Sequence, residues 1–334
     1  RGFALSNLVL VFVTGLGSAA LIVGLGVGVM GFFVASLVGN VTALALGIAM
    51  ASAKASFRIA FDARRLRAML SFSAPLVLSG LAVYLTSYAD RWLVRYWLGL
   101  DGLGLYGVAF KIASIAGVAI SAVQMAVTPL VYQSYTDPRT PQLLRSLLCY
   151  LLAAVLPAVG LVAALSPELV SLLAGVRFQG AAPAAGWLSL GVVLMGLYVF
   201  APGMGLAKRT KRIALSNVGV AACNVMLGLM LLPDLGITGA AVAYAMGGVT
   251  MVSLYLWGSH RFYLIRYPFR AYGGVLLVTL ALLATFSILD LQRMWRLALW
   301  LVAALLIMAT LFRATRSVPL PEVQAGAGAR MQGS

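Results

Sequence analysis

The chain has 334 residues, of which 62% are hydrophobic and only 10% charged, with a formal net charge of +16. Soluble domains hold roughly 45–50% apolar and about 25% charged residues, so the apolar surplus has to face lipid and a water-soluble globular domain is excluded. In a soluble protein such charge would point to nucleic acid, but here Lys and Arg fall mostly in short connections between apolar runs and act as topology signals; no nucleic-acid partner is expected.

Apolar runs about 20 residues long recur along nearly the whole chain, each enough to cross a hydrocarbon core of roughly 30 Å. The alternation of a barrel strand is missing, so the spans are helices. The predicted fold class is an all-α polytopic membrane protein with about ten transmembrane helices. In chain order the spans are 4–27, 29–51, 72–97, 104–132, 143–165, 187–207, 213–233, 237–258, 271–289 and 294–312. Trp92, Tyr96, Trp97, Tyr132 and Trp257 stand at span ends, as interfacial belts do. Pro75, Pro129, Pro157 and Pro202 lie inside spans and mark bends or close helix contacts. Cys149 and Cys223 fall within apolar runs without metal or redox spacing and read as small core residues; His260, beside Arg261, reads as interfacial.

Loop charge orients the chain. One set of connections and ends holds 18 Lys and Arg, from Arg1 through the 52–70, 139–145, 208–212 and 261–270 stretches to Arg330, whereas the other holds only Arg177, Arg293 and Arg296. The rich side is predicted to be cytoplasmic, with both ends of this chain inside. Residues 52–71 are then a basic cytoplasmic linker, expected to form a short helix on anionic lipid. Residues 313–334, rich in Pro, Gly, Ala and Gln after Arg316, are expected to be a disordered cytoplasmic tail.

An internal repeat organises the spans. Ala4-Leu5-Ser6-Asn7 recurs as Ala214-Leu215-Ser216-Asn217, and Gly28-Val29-Met30-Gly31 matches Gly236-Ile237-Thr238-Gly239 in a longer alignment that runs on to Gly39 and Gly247. The first helix pair thus equals the seventh and eighth helices, in the same direction, as a parallel repeat does. Four helices precede the second copy and none the first, and the chain opens on Arg1 rather than Met. The expectation is that four helices, roughly 140 residues, lie upstream, giving about fourteen spans as two six-helix lobes plus a final pair. In this chain, 1–51 would end an N-terminal lobe, 72–258 form the C-terminal lobe, and 271–312 be the added pair.

Charged side chains at a helix centre cost roughly 2.5–3.5 kcal/mol on insertion scales, and most here avoid the spans. The exceptions cluster: Asp90, Arg91 and Arg95 on the third span and Lys111 on the fourth, joined by the short turn 99–104. All four are expected in one neighbourhood in the outer half of the membrane. Arg91 and Arg95, four apart, share a helical face, while Asp90 points about 100° away. On a structural reading Asp90 pairs with Lys111 while Arg91 and Arg95 reach to outer headgroups. On a functional reading the bases form the cationic wall of a cavity suited to a phosphate-bearing ligand, with Asp90 orienting one of them. Gln124, Asn217 and Asn224 are secondary candidates for lining that cavity, or bond between helices. No Gly-rich loop with Gly-Lys-Ser/Thr, no His/Cys/Glu metal cluster and no second histidine occurs, so no catalytic residues, metal or cofactor are expected.

The stretch Phe72-Ser73-Ala74-Pro75-Leu76, then Ser87-Tyr88-Ala89-Asp90-Arg91, Leu98-Gly99 and Gly104-Leu105-Tyr106-Gly107-Val108-Ala109-Phe110-Lys111-Ile112-Ala113, with the later Leu235-Gly236-Ile237-Thr238-Gly239-Ala240-Ala241, resembles the polysaccharide-biosynthesis exporters. These are the O-antigen flippase-like branch of the multidrug/oligosaccharidyl-lipid/polysaccharide exporter superfamily, and the resemblance covers about residues 1–312. It implies two six-helix lobes across a central cavity in the bacterial inner membrane, passing a polyprenyl-diphosphate-linked glycan between leaflets by alternating access. It also implies partners: the lipid-linked glycan, the bilayer, and candidate glycan polymerase or export proteins. Asp90, Arg91 and Lys111 fall on the family's charged pattern, Arg95 less securely, and Asp90 is the candidate coupling carboxylate. The alternative, a drug or organic-cation antiporter of the same superfamily, predicts a cavity of carboxylates and aromatics. A channel or structural subunit predicts bases without a transport role.

Overall fold

The computed structural model describes residues 2–52, 62–289 and 291–316; the linker positions 53–61 and the tail from 317 lie outside the described residues. Every long element is an α-helix: α1 (Gly2–Ala19, prolonged by a π turn), α2 (Val29–Ser52), α3 (Ala63–Ser134), α4 (Thr140–Ala164), α5 (Ser166–Leu173), α6 (Ala182–Gly196), α7 (Gly203–Leu206), α8 (Thr210–His260), α9 (Phe269–Ile288) and α10 (Arg293–Arg316). The described residues contain no strand. They divide into two compact units, residues 1–68 and 69–334.

Two of these elements are hairpins rather than rods. In α3 a single residue, Gly99, leaves helical geometry (φ 69°, ψ −162°), and in α8 Gly236 does the same (φ 58°, ψ −140°). Positive φ combined with ψ of roughly ±150° is a backbone region populated essentially by glycine alone, which is why glycine stands at both turns. The pairing across α8 shows the reversal. The Tyr255 hydroxyl donates to Asn217 Oδ1 at 2.9 Å and Cys223 Sγ lies 3.3 Å from Thr250 Oγ1. Along a straight helix Asn217 and Tyr255 would be about 57 Å apart. Both pairs are centred on Gly236, so the arms 210–235 and 237–260 run antiparallel. A second glycine follows each turn at the third position: a Cβ at Gly239 would lie 2.2 Å from the Leu231 carbonyl oxygen, and one at Gly102 only 2.4 Å from Leu98 Cβ. Gly28, just before α2, and Gly31, in its first turn, repeat the pattern that the sequence repeat had matched to Gly236 and Gly239.

Counting the arms of α3 and α8 separately, each of the ten predicted spans has its helix. Three boundaries differ. The turn expected over 99–104 is confined to Gly99, because nothing from Leu100 onward obstructs helix. Residues 63–71 are the first turns of α3 instead of a separate surface helix. Asp62 caps that start, its Oδ1 accepting the Arg64 N–H at 2.9 Å, and the Arg, Leu, Ala and Met that follow propagate helix well. The sixth span starts at Ala182, ahead of the expected 187, and ends at Gly196 in a 3-10 turn (Leu197–Phe200). Pro202 therefore sits at a helix break, not within a span, since proline restricts the residue before it to extended backbone.

The core of the larger unit is α6, whose sequence Ala-Pro-Ala-Ala-Gly-Trp-Leu-Ser-Leu-Gly is small on every side and buried at most positions. Its glycines admit neighbours where side chains would not fit: a Cβ at Gly191 would meet the Tyr244 ring at 2.4 Å, and one at Gly186 the Ala163 methyl at 2.6 Å. Close backbone approach of this kind drives helix association where water cannot. α9 and α10 are pinned to α4 and α5 by polar contacts. Trp300 Nε1 donates to the Pro157 carbonyl at 2.9 Å, the Tyr272 hydroxyl to the Arg145 carbonyl at 3.3 Å, and Arg296 pairs with Glu168 at 2.8 Å.

α7 ends in a Schellman motif, with the Arg209 N–H on the Met204 carbonyl (2.9 Å) and the Lys208 N–H on that of Gly205 (3.0 Å). Glycine is the usual residue at this left-handed position, but here it is Lys208, with φ 52°. Lys208→Gly is accordingly expected to raise stability by about 0.5–1 kcal/mol, relief of φ exceeding the extra freedom of the unfolded chain; thermal unfolding in detergent measures it.

Candidate functional site

The reversal at Gly99 turns the chain back on itself and places Tyr106 opposite Asp90. Asp90 is buried, only 2% exposed. Its Oδ2 accepts a short hydrogen bond from the Tyr106 hydroxyl, and its Oδ1 accepts the Arg91 N–H at 2.8 Å. Arg91, half-buried, lays its guanidinium over two rings, 4.9 Å from the Tyr88 centroid and 4.2 Å from that of Phe110. Phe110 meets Tyr244 of α8 edge-on at 5.7 Å. Tyr244 in turn lines a cavity of about 320 Å³ with Val83, Met195, Tyr198, Asn217, Val220, Met251 and Tyr255. The charged pair thus leads through aromatic contacts to a cavity with one buried amide, Asn217, held by the Tyr255 hydroxyl. A second, more apolar cavity of about 230 Å³ shares Tyr198 and Tyr255 with the first and extends along α4, α6 and α9.

Of the four predicted charges, two are joined by direct contact and two are exposed. Asp90 and Arg91 stand together, but Lys111 is exposed and Tyr106, not Lys111, is the partner of Asp90. The reason is helical phase: Lys111 is five residues beyond Tyr106, about 140° around the helix, in the exposed stripe of Gly104, Gly107 and Ser114. Arg95 is exposed as well. Of the secondary candidates, Asn217 lines the cavity; Gln124 Nε2 donates to the Gly196 carbonyl at 2.9 Å and ties α3 to the end of α6. Asn224 is buried beside Gly247 and does not line the cavity. The charge-led reading passed over Tyr106, Phe110, Tyr198, Tyr244 and Tyr255.

These features define a multi-pass, all-helical membrane protein with a polar and aromatic cavity among its helices. Its family follows from comparison: the family model for polysaccharide biosynthesis proteins matches residues 3–183, more than half of the chain, and the chain belongs to that family. In fold it is similar to the lipid II flippase MurJ in an inward closed conformation, with a TM-score of 0.63 at 14% identity over 95% of this chain and 67% of that one. No curated protein matches it in sequence.

Proposed function

We propose that this protein is a flippase that moves a polyprenyl-diphosphate-linked glycan precursor across the membrane by alternating access. The observation that carries the reading is Arg91. A guanidinium in a membrane span is costly and is found where a ligand or a path requires it. Here its guanidinium lies over the rings of Tyr88 and Phe110, and Phe110 in turn meets Tyr244 of the cavity wall. The planar guanidinium fork is the side chain whose shape matches phosphate oxygens in pairs. Exposed Arg95 and Lys111 on the same hairpin add positive potential for a diphosphate. The adjoining apolar cavity suits a substrate whose head is polar and whose tail stays in hydrocarbon, and membership of a polysaccharide biosynthesis family supplies the glycan.

In this reading 1–51 closes one lobe, 72–258 is the facing lobe and 271–312 an added pair, with basic loops and both ends on the cytoplasmic side of the inner membrane. The chain is a transporter and not an enzyme. Glycan polymerase or export proteins are its candidate partners. The aromatic lining of Tyr198, Tyr244 and Tyr255 favours a second reading, an organic-cation antiporter, since cations bind aromatic faces. Against it, the carboxylate nearest this cluster is already engaged by Tyr106.

The test is to delete the gene in its source and re-express wild type, Arg91→Ala and Arg91→Lys while quantifying lipid-linked glycan in cells and glycan at the surface. Arg91→Ala is expected to lower surface glycan at least tenfold with precursor accumulating inside, and Arg91→Lys to restore only part, because lysine is not planar. Unchanged glycan together with altered sensitivity to organic cations would favour the antiporter.

A further inference from the structure

Because the α8 hairpin is centred on Gly236, its two ends meet at the opposite pole, where residues 208–212 come beside 260–262. Arg209 and Arg212 lie over the Phe262 ring at 5.6 and 5.1 Å, and Arg261 over Trp257 at 5.7 Å. Lys208, Lys211, Arg266 and Arg270 stand in the same stretches, which hold no carboxylate of their own; Asp234 lies by the turn at the far pole, and Asp137 of the neighbouring loop acts on Tyr263. Beside this cluster is a cavity of about 420 Å³ lined by Ser253, Leu256, Trp257, His260, Arg261 and Phe269. Trp257 and Phe269 are 69% and 54% exposed, so the cavity opens on the helix perimeter where lipid lies.

We propose that this cavity binds an anionic glycerophospholipid, its phosphodiester at Arg261 and His260 and its first acyl carbons against Leu256, Trp257 and Phe269. The vertical order of the lining carries the assignment. Arg261 and His260 cap one end, and Leu256 and Trp257 continue below them along α8, matching an amphiphile at the membrane interface. A free phosphate would gain nothing from those walls, and a zwitterionic headgroup would gain less from a cluster rich in one sign of charge. Stacking on Trp257 fixes the guanidinium before the lipid arrives, which lowers the entropy lost on binding. Basic residues at this face also serve as topology signals, but that role asks for charge alone and not for an arginine held over an aromatic ring in the wall of a cavity. The inference rests on the membrane fold and is independent of what the protein transports.

The experiment uses the full chain in nanodiscs of phosphatidylcholine with and without phosphatidylglycerol, extracted mildly and weighed by native mass spectrometry. Wild type is expected to retain phosphatidylglycerol in preference to phosphatidylcholine. Arg261→Gln should reduce that retention about five- to tenfold, as loss of one interfacial cation implies. Trp257→Leu, which leaves every charge in place, should also reduce it, and Arg139→Gln, an exposed base on another loop of the basic face, should not. Equal losses for Arg139→Gln and Arg261→Gln would overturn the proposal in favour of diffuse surface charge. Equal retention of both lipids, or displacement of phosphatidylglycerol by inorganic phosphate, would overturn it too. A folded thermal transition for each variant, with Arg261→Lys as the charge-keeping control, separates lost binding from lost structure.

Discussion

Tyr106→Phe is expected to destabilise the protein by about 2–3 kcal/mol, the loss for a buried hydrogen bond to a charged group. The phenol and the Asp90 carboxylate meet across the Gly99 reversal in a pocket that admits almost no solvent, so neither finds a substitute in water. Asp90→Leu should cost a similar amount, because it strands the Tyr106 hydroxyl. Asp90→Asn should cost about half as much, since its amide oxygen still accepts from Tyr106. The informative quantity is the coupling. Removing both partners, as in Asp90→Leu with Tyr106→Phe, is expected to cost about 1–3 kcal/mol less than the sum of the single changes. Unfolding in detergent followed by tryptophan fluorescence measures all four states, and simple additivity would show that the two groups do not act as a pair. The same variants should impair transport less than Arg91→Ala if the pair positions the hairpin and Arg91 meets the substrate.

Gly239→Ala should be the more damaging change per atom added. Its methyl would stand 2.2 Å from the Leu231 carbonyl oxygen, 2.6 Å from the carbonyl carbon and 3.0 Å from the Leu232 nitrogen. All three are backbone atoms of the facing arm, which cannot step aside as a flexible side chain can. The arms of α8 must then spread, pulling Tyr255 from Asn217 and opening the cavity wall. A cost above about 3 kcal/mol and a fall in folded yield are expected. Gly236→Ala, which meets nothing within 4 Å but forces alanine into a backbone region essentially reserved for glycine, should cost about 1–3 kcal/mol. Gly104→Ala, helical and with open space around it, should be neutral or stabilising by about 0.5–1 kcal/mol. Size-exclusion yield and thermal unfolding of the three variants rank them, and Gly239→Ala behaving like Gly104→Ala would overturn the packing argument.

The two halves of the candidate site were not equally legible. Asp90 and Arg91 stood out in the sequence because a charge in an apolar run is conspicuous against a solvent that penalises it. Tyr106 did not, because a tyrosine in a span has no such contrast. Its role depends on which face the fourth span turns towards the third, and that follows from where the helix breaks. A turn over 99–104 and a break at Gly99 alone both reverse the chain. Only the second keeps 100–104 helical, and in that phase Tyr106 faces Asp90 and Lys111 turns outward. Gly239 was visible as a letter in the repeat, but its reason, a backbone carbonyl within reach of any added methyl, required the two arms to be packed. The break after α6 was obscured because Pro202 is tolerated inside membrane spans as readily as at their ends.

By itself, then, the sequence determined that the chain crosses a membrane about ten times as helices, which connections carry the positive charge, and which glycines repeat. Those properties are set residue by residue, since lipid demands internally satisfied backbone and long apolar runs whatever the neighbours are. The tertiary structure decided which of the four charges come together, that a tyrosine and not a lysine holds the carboxylate, and that tyrosines line the cavity. Such choices turn on helical phase and on contacts between residues far apart in the chain. A shift of a few residues in one turn rotates every side chain beyond it.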